Sequence, residues 1–277
     1  DPNTLYISFH QDGRTLYPGT GFPEEAGSPG AWGTNINLPL LPGTGDEGLH
    51  RLYDGLISHI LEDFKPELII NSAGQDNHFS DPLASMAVTA QGYARLADKL
   101  QADIAVLEGG YSVESALPYV NTGIILAMAG MDYSKVLEPD MSQLRKQDPR
   151  CNKRVDQLIE QVGDLYFNRE RTKKELLQKC NGVWQRKKHI YYDEEGIREQ
   201  QLETVRYCSI CDGYFTIQTA AEDTRFGDQS AFIVCLPRDI CPNCRQRAYD
   251  EALREKKTGR WQYVFVQQIV DGFIETI

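Results

Sequence analysis

Asp76, His78 and Asp81 fall close together in SAGQDNHFSDPL (72–83), a loop-forming stretch that follows the apolar run PELII. An acid at the carboxyl end of a buried strand is where open α/β sheets place their ligand chemistry. Carboxylate and imidazole groups there can bind a metal or move a proton. Four other segments carry groups of similar interest: SFHQ (8–11), LYPGTG (16–21), NINLPL (35–40) and LEGGY (107–111). The last sets two glycines before Tyr111, a flexible turn from which a phenol can swing over a substrate. A second chemistry lies near the carboxyl end. Cys208 and Cys211 form YCSIC and Cys241 and Cys244 form CPNC, with 29 residues between the pairs. Each CxxC turn presents two thiolates on one side of a tight loop, and tetrahedral zinc takes two such turns. A redox dithiol would want one pair in a βαβ setting. Cys235, in FIVC, reads as core, and Cys151 and Cys180 as unpaired thiols.

The elements that must position these groups alternate. LYISFH (5–10) reads as a strand, and 47–64 as an amphipathic helix with Leu49, Leu52, Leu56, Ile57, Ile60, Leu61 and Phe64 at near-helical spacing. ELIINSAG is a buried strand, 83–101 a helix, DIAVLEGG a strand and 113–130 a helix. Such alternation implies a parallel sheet flanked by helices. From 136 the chain turns polar, and 154–180 is a charged helix with an apolar stripe. Beyond 190 come the cysteines, among the strand-like runs TVRY, YFTIQT and AFIVCL, and a strand-like end, RWQYVFVQQIVDGFIETI. The expected division is therefore an α/β domain over 1–135, a linker and helix over 136–189, and a four-cysteine zinc-ribbon or treble-clef module over 190–277.

Charge supports that division. Residues 1–135 hold 17 acids against 6 bases, and the remaining residues 23 of each. An acidic half draws cationic substrates, although a solubilising surface would have the same composition. The zero balance beyond 135 disfavours nucleic acid as a partner, even with basic groups at 186–188, 245–247 and 254–260. Protein docking or a structural cap suits that module better. No apolar run reaches the ~20 residues that span a bilayer. CxxC pairs without a secretory signal favour metal over disulfides, and cytoplasm is the default location.

The five segments of residues 1–135, in this order and spacing, resemble the zinc-dependent deacetylase family of histone deacetylases, acetylpolyamine amidohydrolases and acetoin-utilisation proteins. The resemblance implies an arginase/deacetylase-like α/β fold and hydrolysis of an acetyl-amide, of the acetyl-lysine or acetylpolyamine type. Residue by residue it implies that Asp76 is one of three catalytic zinc ligands and that Tyr111 donates to the oxyanion. Gly109 and Gly110 would contact the acyl chain, and Tyr17 would wall the substrate tunnel. Ser8 and Phe9 would hold a potassium ion through a hydroxyl and a backbone carbonyl. His10 is expected to be a structural or tunnel-rim histidine, and Asp81 a loop-stabilising acid. One departure is EEAGSPGAWGTNIN, where Pro29 and Ala31 replace expected glycines. That changes the path of the loop and bears on specificity.

The family's adjacent histidine pair and DxH motif lie before the segment with which this chain opens. The expectation is the C-terminal half of a deacetylase domain, its N-terminal half upstream or on another chain, and no catalysis by this chain alone. The alternative is an inactive deacetylase-fold scaffold whose zinc module contacts a protein or nucleic acid.

Overall fold

The computed structural model describes residues 1–277 apart from Asp140, Arg145, residues 193–195, Asp212, Thr224, Phe226, Val270, Asp271 and the side chain of Gln143. Two compact units are found, Asp1–Gly27 with Ala31–Glu170, and Ser28–Gly30 with Arg171–Ile277.

In the first unit, β1 (Tyr6–Gln11) pairs in parallel with β2 (Asn35–Leu40). Helix α1 (Asp46–Leu52) runs through a wide π turn (Tyr53–Ile57) into α2 (Ser58–Phe64). The expected apolar stripe faces inward, and Leu49, Leu52, Leu56, Ile57 and Ile60 are all buried. Burying each such side chain stabilises the fold by about 1.5–3 kcal/mol. Strand β3 (Ile70–Ala73) pairs in parallel with β4 (Ile104–Leu107), and α3 (Ala90–Leu100) connects them. α4 (Leu117–Met128) then packs on α3, where Gly123 lets the Ala94 methyl approach closely. The two strand pairs are the parallel α/β pattern read from the sequence, but the expected burial of β3 holds only at Ala73, and Ile70 faces solvent.

Helix α3 begins at Ala90, not near 83. Thr89 caps it by accepting the Gly92 N–H at 3.1 Å, and Asp46 accepts both the Thr89 N–H and its hydroxyl. Residues 76–88 are thereby left free to form an irregular loop.

The boundary expected at 135 lies instead after Glu170. Helix α5 (Pro149–Phe167) buries Val155, Leu158, Val162 and Tyr166 in the same core as α1. Its stripe at i, i+3, i+7 and i+11 makes it part of the α/β unit. Asn168 breaks the expected 154–180 helix, and α6 (Arg169–Lys179) buries no side chain. Asp140 and Arg145 of the expected linker lie outside the described residues.

The second unit is a six-stranded sheet in the order β10-β9-β8-β7-β6-β5. Its strands are β5 (Val183–Tyr192), β6 (Ile197–Arg206), β7 (Tyr214–Glu222), β8 (Gln229–Leu236), β9 (Tyr263–Gln268) and β10 (Ile274–Thr276). All neighbours are antiparallel except β8 and β9, between which α7 (Pro242–Thr258) crosses over. Ala248 and Ala252 of α7 close on Phe232, Val234, Val264 and Val266 to make the core. No helix among the described residues is long and apolar enough to cross a membrane.

Candidate active site and metal centre

Two loops following β3 and β4 meet at Asp76. The Gln75 N–H donates to the Gly109 carbonyl at 2.5 Å, and a side chain on Gly109 would start 3.4 Å from the Asp76 carboxyl. Gly110 sits at φ +145°, where a Cβ would collide with Gln75 and Leu117 at 2.9 Å. Gly110 thus requires glycine for its backbone shape, while a Cβ at Gly109 would meet the Asp76 carboxyl at ordinary contact distance. Burial raises the Asp76 carboxyl above its ordinary range; its own backbone amide opposes this, Asp81 adds to it and His10 lowers it.

Asp81 is buried and ties the loops together. Its Oδ2 accepts the Tyr111 N–H at 2.8 Å, while Oδ1 accepts Leu83 and Ala84 N–H groups at 2.9 and 3.2 Å. The Tyr111 side chain is 53% exposed. Tyr17 is 73% exposed, on the loop between β1 and β2, in a cis peptide with Pro18.

His10 is held at both nitrogens. Nε2 donates to the Gly21 carbonyl at 3.0 Å, so Nδ1 accepts the Ser8 hydroxyl at 2.9 Å. Gly21 lies so close to the ring that a Cβ would stand 2.5 Å from Nε2. Both ring nitrogens of His10 are thereby engaged. The Ser8 hydroxyl proton is committed to His10, and Phe9 packs against the core of the unit. Pro29–Ala31 form a short 3-10 turn, where the sequence departs from the expected glycines.

His78 is fully buried, and its partners were not legible in the sequence. Nδ1 lies 2.9 Å from the Ser80 hydroxyl and 3.2 Å from the Ser80 N–H, and that hydroxyl lies 2.8 Å from the Ser112 hydroxyl. Nε2 faces the buried Glu138 carboxylate at 3.4 Å. Ser80 and Ser112 flank recognisable motifs, but nothing around Glu138 in the sequence announces the contact.

In the second unit Cys208, Cys211, Cys241 and Cys244 bring their sulfurs within 4.8 Å of one another. No other group of three or more histidine, cysteine or acidic side chains does so among the described residues. The first pair forms a knuckle after β6, with the Ile210 N–H on Cys208 at 3.4 Å and the Gly213 N–H on Cys211 at 3.3 Å. Gly213 (φ +79°) allows this turn, since a Cβ would fall 1.8 Å from the Arg206 carbonyl. The second pair sits on a helix. Cys241 is the N-cap of α7, Pro242 occupies its first turn and Cys244 lies within it. A ribbon of two hairpin knuckles is thus replaced by a knuckle facing a helix N-terminus, the treble-clef arrangement. Backbone N–H groups of Ile210 and Cys211 hold the Cys208 thiol down at about 6, whereas burial raises Cys244. Four converging thiol groups, one already favoured as thiolate, fit a tetrahedral thiophilic ion. Cys235 is buried as expected, which pushes its thiol up to about 12.

Comparison with known proteins places the first unit. The histone deacetylase domain matches residues 1–127. A probable deacetylase of Archaeoglobus fulgidus is 52% identical over 149 residues, covering 50% of this chain and 41% of the relative. The acetoin utilization protein AcuC of Bacillus subtilis is 31% identical over 175 residues, or 60% of this chain and 45% of the relative. Among solved structures, the HDA15 HD domain superposes with a TM-score of 0.50 at 27% identity, covering 63% of this chain and 47% of that one. The histone deacetylase Clr3 shares the fold at 19% identity, with a TM-score of 0.52 over 73% of this chain and 37% of that one. The chain spans less than half the length of these curated relatives. With Asp76 and the GGY turn meeting across two strand ends, residues 1–127 match the histone deacetylase domain.

Proposed function

We propose that this chain supplies part of the active site of a zinc-dependent deacetylase that hydrolyses an acetyl-amide, of acetyl-lysine or an acetylated polyamine. The observation that carries this reading is the meeting of Asp76 with the Gly109–Tyr111 turn, held by Asp81. A catalytic zinc takes three protein ligands. Asp76 is one, and no group of three such side chains forms around it among the described residues. The bound metal would polarise the amide carbonyl and lower the pKa of its water. The chain's own contributions are the Asp76 carboxylate and the Tyr111 phenol, which donates to the developing oxyanion. Gly109 and Gly110 offer backbone to the acyl chain, and the exposed Tyr17 a wall for it. Ser8 and Phe9 retain oxygens for a potassium ion.

The remaining ligands and the proton-transfer histidines would come from an N-terminal half, upstream or on another chain. Strand β4 supports this. Ile104, Val106 and Leu107 are 45%, 40% and 71% exposed, an apolar strand that a neighbouring layer would cover. In this reading the four cysteines hold a second, structural zinc. The absence of co-ligands around Asp76 equally favours an inactive scaffold with a protein-docking zinc module, and one experiment separates the two. The chain is assayed on acetyl-lysine peptide and acetylated polyamine, alone and with an N-terminal half carrying the paired histidines and DxH motif. Activity only in the reconstituted enzyme, abolished by Asp76→Asn, supports the deacetylase; none in either sample leaves the scaffold.

A further inference from the structure

The proposed mechanism uses Tyr111 but leaves unexplained why a histidine is buried beneath its loop. His78 is 0% exposed, two residues beyond Asp76. Its hydrogen bonds have one consistent direction. Nδ1 accepts the Ser80 N–H at 3.2 Å, so it carries no proton and the ring holds its hydrogen on Nε2. Nε2 then lies 3.4 Å from Glu138 Oε1, and makes no hydrogen bond among the described residues. Glu138 is itself fixed, since the same oxygen accepts the Ala90 N–H at the start of α3 at 2.9 Å.

With Nδ1 an acceptor, the Ser80 hydroxyl at 2.9 Å must donate to it. The Ser80 oxygen can then only accept from Ser112, 2.8 Å away. The chain therefore runs in one sense, from the Ser112 hydroxyl through Ser80 to His78 Nδ1, with Nε2 beside the Glu138 carboxylate. Ser112 directly follows Tyr111, and its carbonyl accepts the N–H groups of Ala116 and Leu117 at the start of α4. The residue beside the phenol is thus held on one side by a buried polar chain and on the other by a helix.

We propose that His78 is a positioning residue for Tyr111, fixing the Gly-Gly-Tyr turn against the Asp76 loop through Ser80 and Ser112. This rests on the reading of Tyr111 as the oxyanion donor, but the mechanical part stands without it. A buried, directed chain is stiff because the two hydroxyls and Nδ1 are satisfied together only in one arrangement. Asp81 fixes the Tyr111 backbone; the histidine chain fixes the next residue. The two anchors together leave the phenol side-chain freedom with little backbone freedom.

The test reads the loop and the chemistry separately. Hydrogen exchange at the Tyr111 amide is measured in this chain, and kcat and KM in the reconstituted enzyme. Ser112→Ala and Ser80→Ala should each speed Tyr111 exchange about three- to tenfold, the consequence of one lost hydrogen bond. The double variant should add little to either, because both break one chain. Ser112→Thr, which keeps the hydroxyl, should restore slow exchange. kcat should fall in the alanine variants with KM held. His78→Phe should behave alike, and where it fails to fold the serine variants decide. Unchanged exchange at Tyr111, or equal acceleration at the amides of β2, would overturn the proposal. Faster exchange with unchanged kcat would overturn the catalytic part. No turnover in the parent enzyme would reject the deacetylase reading, while exchange still decides the clamp.

Discussion

Asp81 accepts the backbone N–H of Tyr111 at 2.8 Å with one carboxylate oxygen and holds its own turn with the other. A single buried carboxylate thereby sets the distance between the loops after β3 and β4. Hydrogen bonds to a charged acceptor contribute about 1.5–3 kcal/mol each. Asp81→Ala should destabilise the first unit by about 2–4 kcal/mol, and Asp81→Asn by less because it keeps an acceptor. Urea unfolding followed by intrinsic fluorescence measures both; equal midpoints for parent and alanine variant would remove the carboxylate from this role.

Tyr111→Phe keeps the ring and loses the donor. In the reconstituted enzyme kcat should fall ~10²–10³-fold, the effect of deleting one oxyanion donor. Stability should hardly change, since the side chain is half exposed. A steady-state assay beside a melting curve checks the pair, and full turnover would place the phenol outside the reaction.

Cys208→Ser removes one of four converging sulfurs. Bound zinc in the isolated protein should drop from one per chain towards none, and protease cleavage should appear within residues 171–277. Elemental analysis and limited proteolysis read this; unchanged zinc would mean that the cysteines do not hold it.

His50 gives the first unit an acid sensitivity. Burial, then the nearby Lys99 and Arg95, pushes its imidazole down from 6.5 to about 4, and Nδ1 has no hydrogen-bond partner among the described residues. The unfolded chain takes up a proton near pH 6.5, the folded one only near 4. Stability from this group is complete above pH 6.5 and drains away as pH falls to about 4, by about 3 kcal/mol. His50→Leu should flatten the urea midpoint between pH 7 and 4; an unaltered slope would assign the acid sensitivity to other groups.

The α/β half was legible because its signals are local. The stripe from Leu49 to Ile60 and the motifs around Asp76 and Tyr111 each lie within a few residues. What escaped depends on distance. Glu138 meets His78 across 60 positions, and neither contact nor direction is written near either residue. β5 is hard to see in the sequence because VWQRKKHIYY carries a basic run that reads as a loop. In the sheet those cations face carboxylates on β6, with Arg186 and Lys188 both on Glu203 at 2.6 Å. Cross-strand charge pairing stabilised a strand that composition disfavoured. The second cysteine pair looked like a knuckle, whereas Pro242 is suited to a first helical turn and makes CPNC the start of α7.

Strand β4 has one more consequence. A short apolar strand open to solvent beside an unpaired edge is a template for other chains, and β4 has no charged side chain among IAVL to repel them. Handled alone at high concentration, this protein should self-associate into β-rich aggregates seeded at Ile104–Leu107. A single lysine at Val106 would act as a gatekeeper, raising solubility while leaving the zinc module folded.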